Sequence, residues 1–196
     1  MNYSKILIKA VKEGNLKNVK SALSLGANIH SEEDQALCEA SLLGHIDIVR
    51  FLLDNGANVQ AQDNLALRWA SLEGNIEIVR LLIAKGADIR ARNHLALRWA
   101  AKNNHSTIVK MFLEMGANPY VNRNEALITA AANGCTDTVQ TLLRCCDAYN
   151  NCCLIMALTF TLTTTWQYVV RQMKVIPKRL NFCSIMVLTL PQFIVK

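Results

Sequence analysis

The chain of 196 residues is long enough for one or two ordinary domains and a sizeable core. It carries 21 Lys and Arg against 15 Asp and Glu, for a net charge of +6, yet residues 1–146 hold 16 of the bases and 14 of the acids. That near-neutral bulk argues against a nucleic-acid grip built on charge, and 52% apolar residues with three prolines exclude a collagen-like or disordered chain.

At the N-terminus, Met1 to Lys9 contains no uninterrupted apolar run, so no signal peptide is expected. Seven cysteines are an odd number, and six of them (Cys135, Cys145, Cys146, Cys152, Cys153, Cys183) fall in the last third. They are read as free thiols in a reducing cytoplasm.

From there the chain repeats itself. Gly26-Ala27-Asn28, Gly56-Ala57-Asn58, Gly86-Ala87-Asp88 and Gly116-Ala117-Asn118 recur every 30 residues. Gly14, Gly44, Gly74, Asn104 and Gly134 form a second series in that register. Leucine holds 7, 37, 67, 97 and 127, alanine 10, 40, 70, 100 and 130, and valine 19, 49, 79, 109 and 139. Five units therefore agree at three positions.

Each unit reads as two short helices. In the third, Leu67, Ala70 and Ser71 lie at i, i+3 and i+4 and put one stripe on a first helix. Gly74 ends it, because a C-terminal cap commonly needs positive φ, and Asn104 is the tolerated substitute. Ile76, Val79, Leu82 and Ile83 make a broader stripe on a second helix, which Gly86 terminates. One unit buries about five aliphatic side chains at roughly 1.5–3 kcal/mol each. Ordering its backbone costs about 1–2 kcal/mol per residue, so a unit folds only when stacked on others.

Gly-Ala-Asn/Asp, Gly44-His45 and Ile48-Val49-Arg50-Phe51-Leu52-Leu53 resemble the second helix of the ankyrin repeat and its exit. The resemblance covers about residues 3–146. Two departures stand out: Leu65-Ala66-Leu67-Arg68 and Leu95-Ala96-Leu97-Arg98 replace the usual Thr-Pro-Leu-His, and the period is 30 rather than the family's common 33. The shortening falls between Ala91 and Leu97 and their equivalents, so short hairpin fingers are expected. The period and the Ala-Leu-Arg-Trp-Ala string look like the ankyrin proteins abundant in giant DNA viruses of amoebae.

Signatures of catalysis are missing. All eight glycines serve the two repeat-terminating series, leaving none for a phosphate-binding loop. No nucleophile elbow, zinc-protease motif or calcium loop occurs, so no catalytic residue, cofactor or metal site is assigned. His45 and His105 stand where other units place Asn15 and Asn75, and are read as hydrogen-bonding residues at a helix start. His30 and His94 have no partner by spacing. The adjacent pairs Cys145-Cys146 and Cys152-Cys153 lack zinc-site spacing.

What the resemblance implies is a partner protein bound on a concave face of fingers and neighbouring first-helix positions. The fingers map to Glu32-Glu33-Asp34, Gln62-Asp63-Asn64, Arg92-Asn93-His94 and Asn122-Arg123-Asn124, running from acidic through mixed to basic. The helix positions map to Leu42-Leu43, Leu72-Glu73, Lys102-Asn103 and Ala132-Asn133. A charge gradient with an apolar spot at Leu42, Leu43 and Leu72 suits a protein of mixed polarity. Trp69 and Trp99 occupy one register where other units carry Lys9, Glu39 and Thr129. They are read either as binding anchors or as inter-repeat packing flanked by Arg68 and Arg98.

After Val139 the pattern fails. Residues 148–170 are uncharged, and Arg171, Lys174, Lys178 and Arg179 follow. Three readings stand: a degenerate sixth repeat capping the stack, a membrane segment, or apolar sequence left by a reading-frame change. The expectation is thus an all-α ankyrin-repeat solenoid of helix-turn-helix units over residues 1–146, with a degenerate or irregular apolar tail over 147–196. It is expected to be a monomeric, cytoplasmic, non-enzymatic protein-binding module that takes no nucleic acid; the alternative is a membrane-tethered ankyrin module anchored by the apolar segment 148–170.

Overall fold

A computed structural model describes residues 3–148. They form ten helices, and no strand occurs among the described residues. In chain order these are α1 (Tyr3–Lys12), α2 (Leu16–Ser24), α3 (Gln35–Leu42), α4 (Ile46–Asp54), α5 (Ala61–Glu73), α6 (Ile76–Ala84), α7 (Ala91–Lys102), α8 (Ser106–Glu114), α9 (Val121–Ala132) and α10 (Thr136–Ala148). Consecutive helices pair into five units, and each unit packs on the next, as the 30-residue period predicts.

Both glycine series end helices through left-handed residues, for different reasons. The Ala27 N–H donates to the Ala22 carbonyl and the Gly26 N–H to Leu23, each at 3.0 Å, the Schellman pattern. Nothing lies within 4 Å of a Cβ added at Gly26, Gly56 or Gly86, so only their positive φ requires glycine. At Gly74 a Cβ would stand 2.5 Å from the His105 ring, so a side chain of the next unit also forbids it. Asn104 (φ 62) fits the same register because Cys135 stands where the bulkier His or Asn would, and the Thr138 hydroxyl donates to its Oδ1 at 3.1 Å.

Small residues set the spacing of the first-helix row. Ala36, Ala40, Ala66, Ala70, Ala96, Ala100, Ala126 and Ala130 are all buried there. The second helices bury larger groups instead: Ile48, Val49 and Leu52, then Ile78, Val79 and Leu82, then Ile108, Val109 and Phe112. The first-helix row packs more closely between units than the second-helix row does, so the first helices line the inner, concave side.

The expected hairpin fingers are not there. In their place, three successive residues adopt left-handed backbone at 32–34, 62–64, 92–94 and 122–124, with φ between 50 and 65°. Such a turn costs roughly 1–2 kcal/mol per non-glycine residue, so something must hold it. Backbone bonds close it, as from the Asn64 N–H to the Gln60 carbonyl at 3.1 Å, and its third residue is buried in every unit: Asp34, Asn64, His94 and Asn124.

The helix-start residues form hydrogen bonds of two kinds. Asn15 caps its own helix, accepting from the Asn18 N–H at 3.0 Å. Asn75 and His105 reach back to the preceding unit, Asn75 Nδ2 donating to the Ser41 carbonyl at 3.0 Å and His105 Nε2 to Leu72 at 2.9 Å. They tie units together and do not cap helices. The three readings of the tail fall on residues beyond Ala148, outside the described residues, as do Cys152, Cys153 and Cys183.

Candidate functional site: the concave face

The turns hold the first finding. Asn28, Asn58, Asp88 and Asn118 each accept, through Oδ1, the backbone N–H two residues on, at 2.8–3.0 Å, a local turn that explains why the Gly-Ala string ends in Asn or Asp. The previous unit pins this turn: Asp34 Oδ1 accepts the Asn58 N–H at 2.8 Å, and Asn64 Oδ1 the Asp88 N–H at 2.7 Å. Asp34, Asn64 and His94 of the expected binding set are 4, 6 and 8% exposed, and their side chains face the stack.

His94 holds the pin position without making the pin. Its Nδ1 is buried with no hydrogen-bond partner. Burial holds the imidazole below its ordinary pKa of 6.5, and Arg90 adds to this while Asp88 opposes it.

The other expected residues lie at the surface. Glu32, Glu33, Asp63, Glu73, Arg92, Lys102, Asn103 and Arg123 are exposed, and Leu42, Trp69, Leu72 and Trp99 partly so. Leu43 is 45% exposed, one of few large apolar groups in that state. Some of the charges are already matched: Arg92 Nε lies 2.9 Å from Asp63 Oδ2, and Lys12 Nζ 3.2 Å from Glu39 Oε1. Asn103 Nδ2 donates to the Leu72 carbonyl at 2.7 Å. Glu32, Glu33, Lys102 and Arg123 have no ion-pair partner among the described residues.

Arg68 and Arg98, absent from the expected set, are the most unusual side chains on this face. Arg68 is 7% exposed; its Nη2 donates to the Gln62 carbonyl at 2.7 Å, and its Nε is buried without an acceptor. Its guanidinium lies 5.6 Å from the centre of the Trp99 ring, so the cation–π pair crosses between units and does not join sequence neighbours. Burial pulls the Arg68 pKa down, and Arg92 pulls it further. Arg98 pairs with Glu125 at 2.6 Å, and this bond holds the Glu125 carboxyl below its ordinary range. The signal for Arg68 was in the sequence: Leu95 holds the register in which the next unit has Glu125.

Other chemistry is thin. Burial, with Asp34 adding to it, pushes the Cys38 thiol up to about 12, so it is no nucleophile. Among the described residues there is no His, Cys, Asp or Glu cluster fit to hold a metal, and no helix is long and apolar enough to cross a membrane.

No curated protein matches the chain. A family model described as ankyrin repeats in three copies matches residues 7–93, 67–153 and 97–173, which overlap to cover most of the chain and run past Ala148. With five stacked helix pairs, Gly-terminated at one period, the chain belongs to the ankyrin-repeat family, whose repeats are generic protein–protein interaction modules.

Proposed function

We propose that this protein is a non-enzymatic, monomeric binding module that docks one partner protein on its concave face between the second and fifth units. The observation that carries this reading is the contrast in exposed positions. Along the inner row one register reads Lys9, Glu39, Trp69, Trp99, Thr129, whereas one outer-row register stays basic through Lys20, Arg50, Arg80 and Lys110 and changes only at Gln140. A face that varies where its scaffold does not carries information a partner can read. Two partly exposed tryptophans with Leu43 supply anchors, and the acidic turn at Glu32-Glu33 and the basic one at Arg123 supply orientation.

The 30-residue period and the twice-used Ala-Leu-Arg-Trp-Ala string support placing the chain with the giant-virus type, in which case the partner is a host protein in the cytoplasm. A family match reaching residue 173 favours a degenerate sixth repeat over a membrane tether for the tail. The test is a photocrosslinking residue at Leu43, Glu73 or Lys102 on the inner row, against Arg50, Arg80 or Lys110 on the outer. Protein adducts from the inner set alone are expected; adducts from the outer set alone contradict the reading.

A further inference from the structure

The third and fourth units present the same Leu-Ala-Leu-Arg-Trp-Ala string on the concave side, yet their arginines end differently. Arg98 reaches forward to Glu125 of the next unit, its Nη2 2.7 Å from Oε1 and 2.6 Å from Oε2. The residue in the same relation to Arg68 is Leu95, partly exposed and uncharged. Arg68 is the more deeply buried of the two, and no carboxylate lies within ion-pair distance of it among the described residues. Asp63, the acid that acts on it electrostatically, is engaged by Arg92 at 2.9 Å. Both arginines leave a buried Nε without an acceptor, but Arg68 has only a carbonyl and the Trp99 ring where Arg98 has a carboxylate, and a buried guanidinium without a counter-ion is one that proteins rarely keep without use.

We propose that Arg68 is the seat for a carboxylate of the partner, an Asp or Glu side chain in an extended segment, taking the place that Glu125 takes at Arg98. This rests on the concave-face reading above and adds the chemistry of the ligand. The Arg98–Glu125 pair shows that the local backbone accepts a carboxylate at hydrogen-bond distance from an arginine in this register. Around the seat, Leu72, Leu95, Trp69 and Trp99 are partly exposed, so the segment carries an apolar residue beside its acid. Trp99 under the guanidinium excludes water from one side and strengthens the pair that forms. Among the surrounding charges, Arg90, Lys102 and Arg123 are exposed without acidic partners among the described residues and draw an acidic segment toward this end of the face, while the exposed Glu73 opposes them. The acidic turn Glu32-Glu33 repels it from the other end.

A random dodecapeptide library displayed on phage is selected on the full chain, and enriched peptides are measured by fluorescence polarisation. Enriched peptides are expected to share an Asp or Glu next to an apolar residue, and amidating that acid to Asn or Gln should weaken binding by about 30-fold or more. Arg68→Met should cause the same loss. Leu95→Glu, which supplies the missing carboxylate within the chain, should also cause it while raising the melting temperature. Enriched peptides with no common acid, lost on Trp69→Ala, overturn the carboxylate seat but leave the concave face as the binding surface. No enrichment at all overturns both. If Arg68→Met lowers both binding and melting temperature while Leu95→Glu changes neither, Arg68 only holds the Gln62 turn, and the proposal fails. Equal competition by a single-stranded oligonucleotide also overturns it.

Discussion

The two rows of helices come from the same five repeats, yet they differ in what they repeat. In the outer row one exposed position is basic in four of the five units, as Lys20, Arg50, Arg80 and Lys110, and most of the buried ones are large apolar groups. In the inner row two alanines and a leucine are buried in each of the second to fifth units, while a partly exposed position changes from Glu39 to Trp69, Trp99 and Thr129. The difference separates two jobs. Small residues bring the inner helices together so that side chains of several units form one surface, and the outer row supplies the burial that holds this arrangement.

Breaking the outer row should have the largest effect. Phe112 is fully buried in α8, and Phe112→Ala should cost about 3–5 kcal/mol, read by chemical denaturation. Because the fourth unit joins the third to the fifth, units on both sides should lose hydrogen-exchange protection together. The seam between inner turns comes next. Asn64→Ala removes the acceptor of the partly buried Asp88 N–H and places alanine at φ 61, which should cost about 1–3 kcal/mol.

A smaller effect of opposite sign sharpens the comparison. His94→Asn offers the fourth unit the side-chain oxygen that Asn64 offers the third, and should stabilise by about 1 kcal/mol. It should also change the pH profile. The folded pKa of His94 lies below its unfolded value of 6.5, so the unfolded chain binds the proton first. Stability is full above about 6.5 and falls as pH drops below it in the parent; that component of the fall should vanish in His94→Asn, as melting curves at pH 7.5 and 5.5 would show.

Much of this architecture was legible in the sequence, because a strict period exposes the residues that stacking requires. Leu67, Ala70 and Val79 were core by register alone, and are buried. The turns were not legible. Nothing in Glu32-Glu33-Asp34 or Arg92-Asn93-His94 advertises three left-handed residues, since Glu and Arg disfavour that backbone and what holds it, burial of the third residue and the closing backbone bonds, comes from the folded stack. For the same reason Asp34, Asn64 and His94 looked like exposed fingertips, whereas Asp34 and Asn64 are pins and His94 is buried in the pin position. Arg68 was overlooked because its meaning lies in a residue 27 positions on, where Leu95 stands in place of a glutamate.

Hydroxyl-radical footprinting of the full chain, with and without a bound partner peptide, tests the central claim most directly. Trp69 and Trp99 on the inner row and Met115 at the end of α8 are reactive reporters on opposite sides, and all three are at least partly exposed. The account predicts that binding lowers oxidation of Trp69 and Trp99 and leaves Met115 unchanged. Protection of Met115 with the two tryptophans unaffected would contradict it.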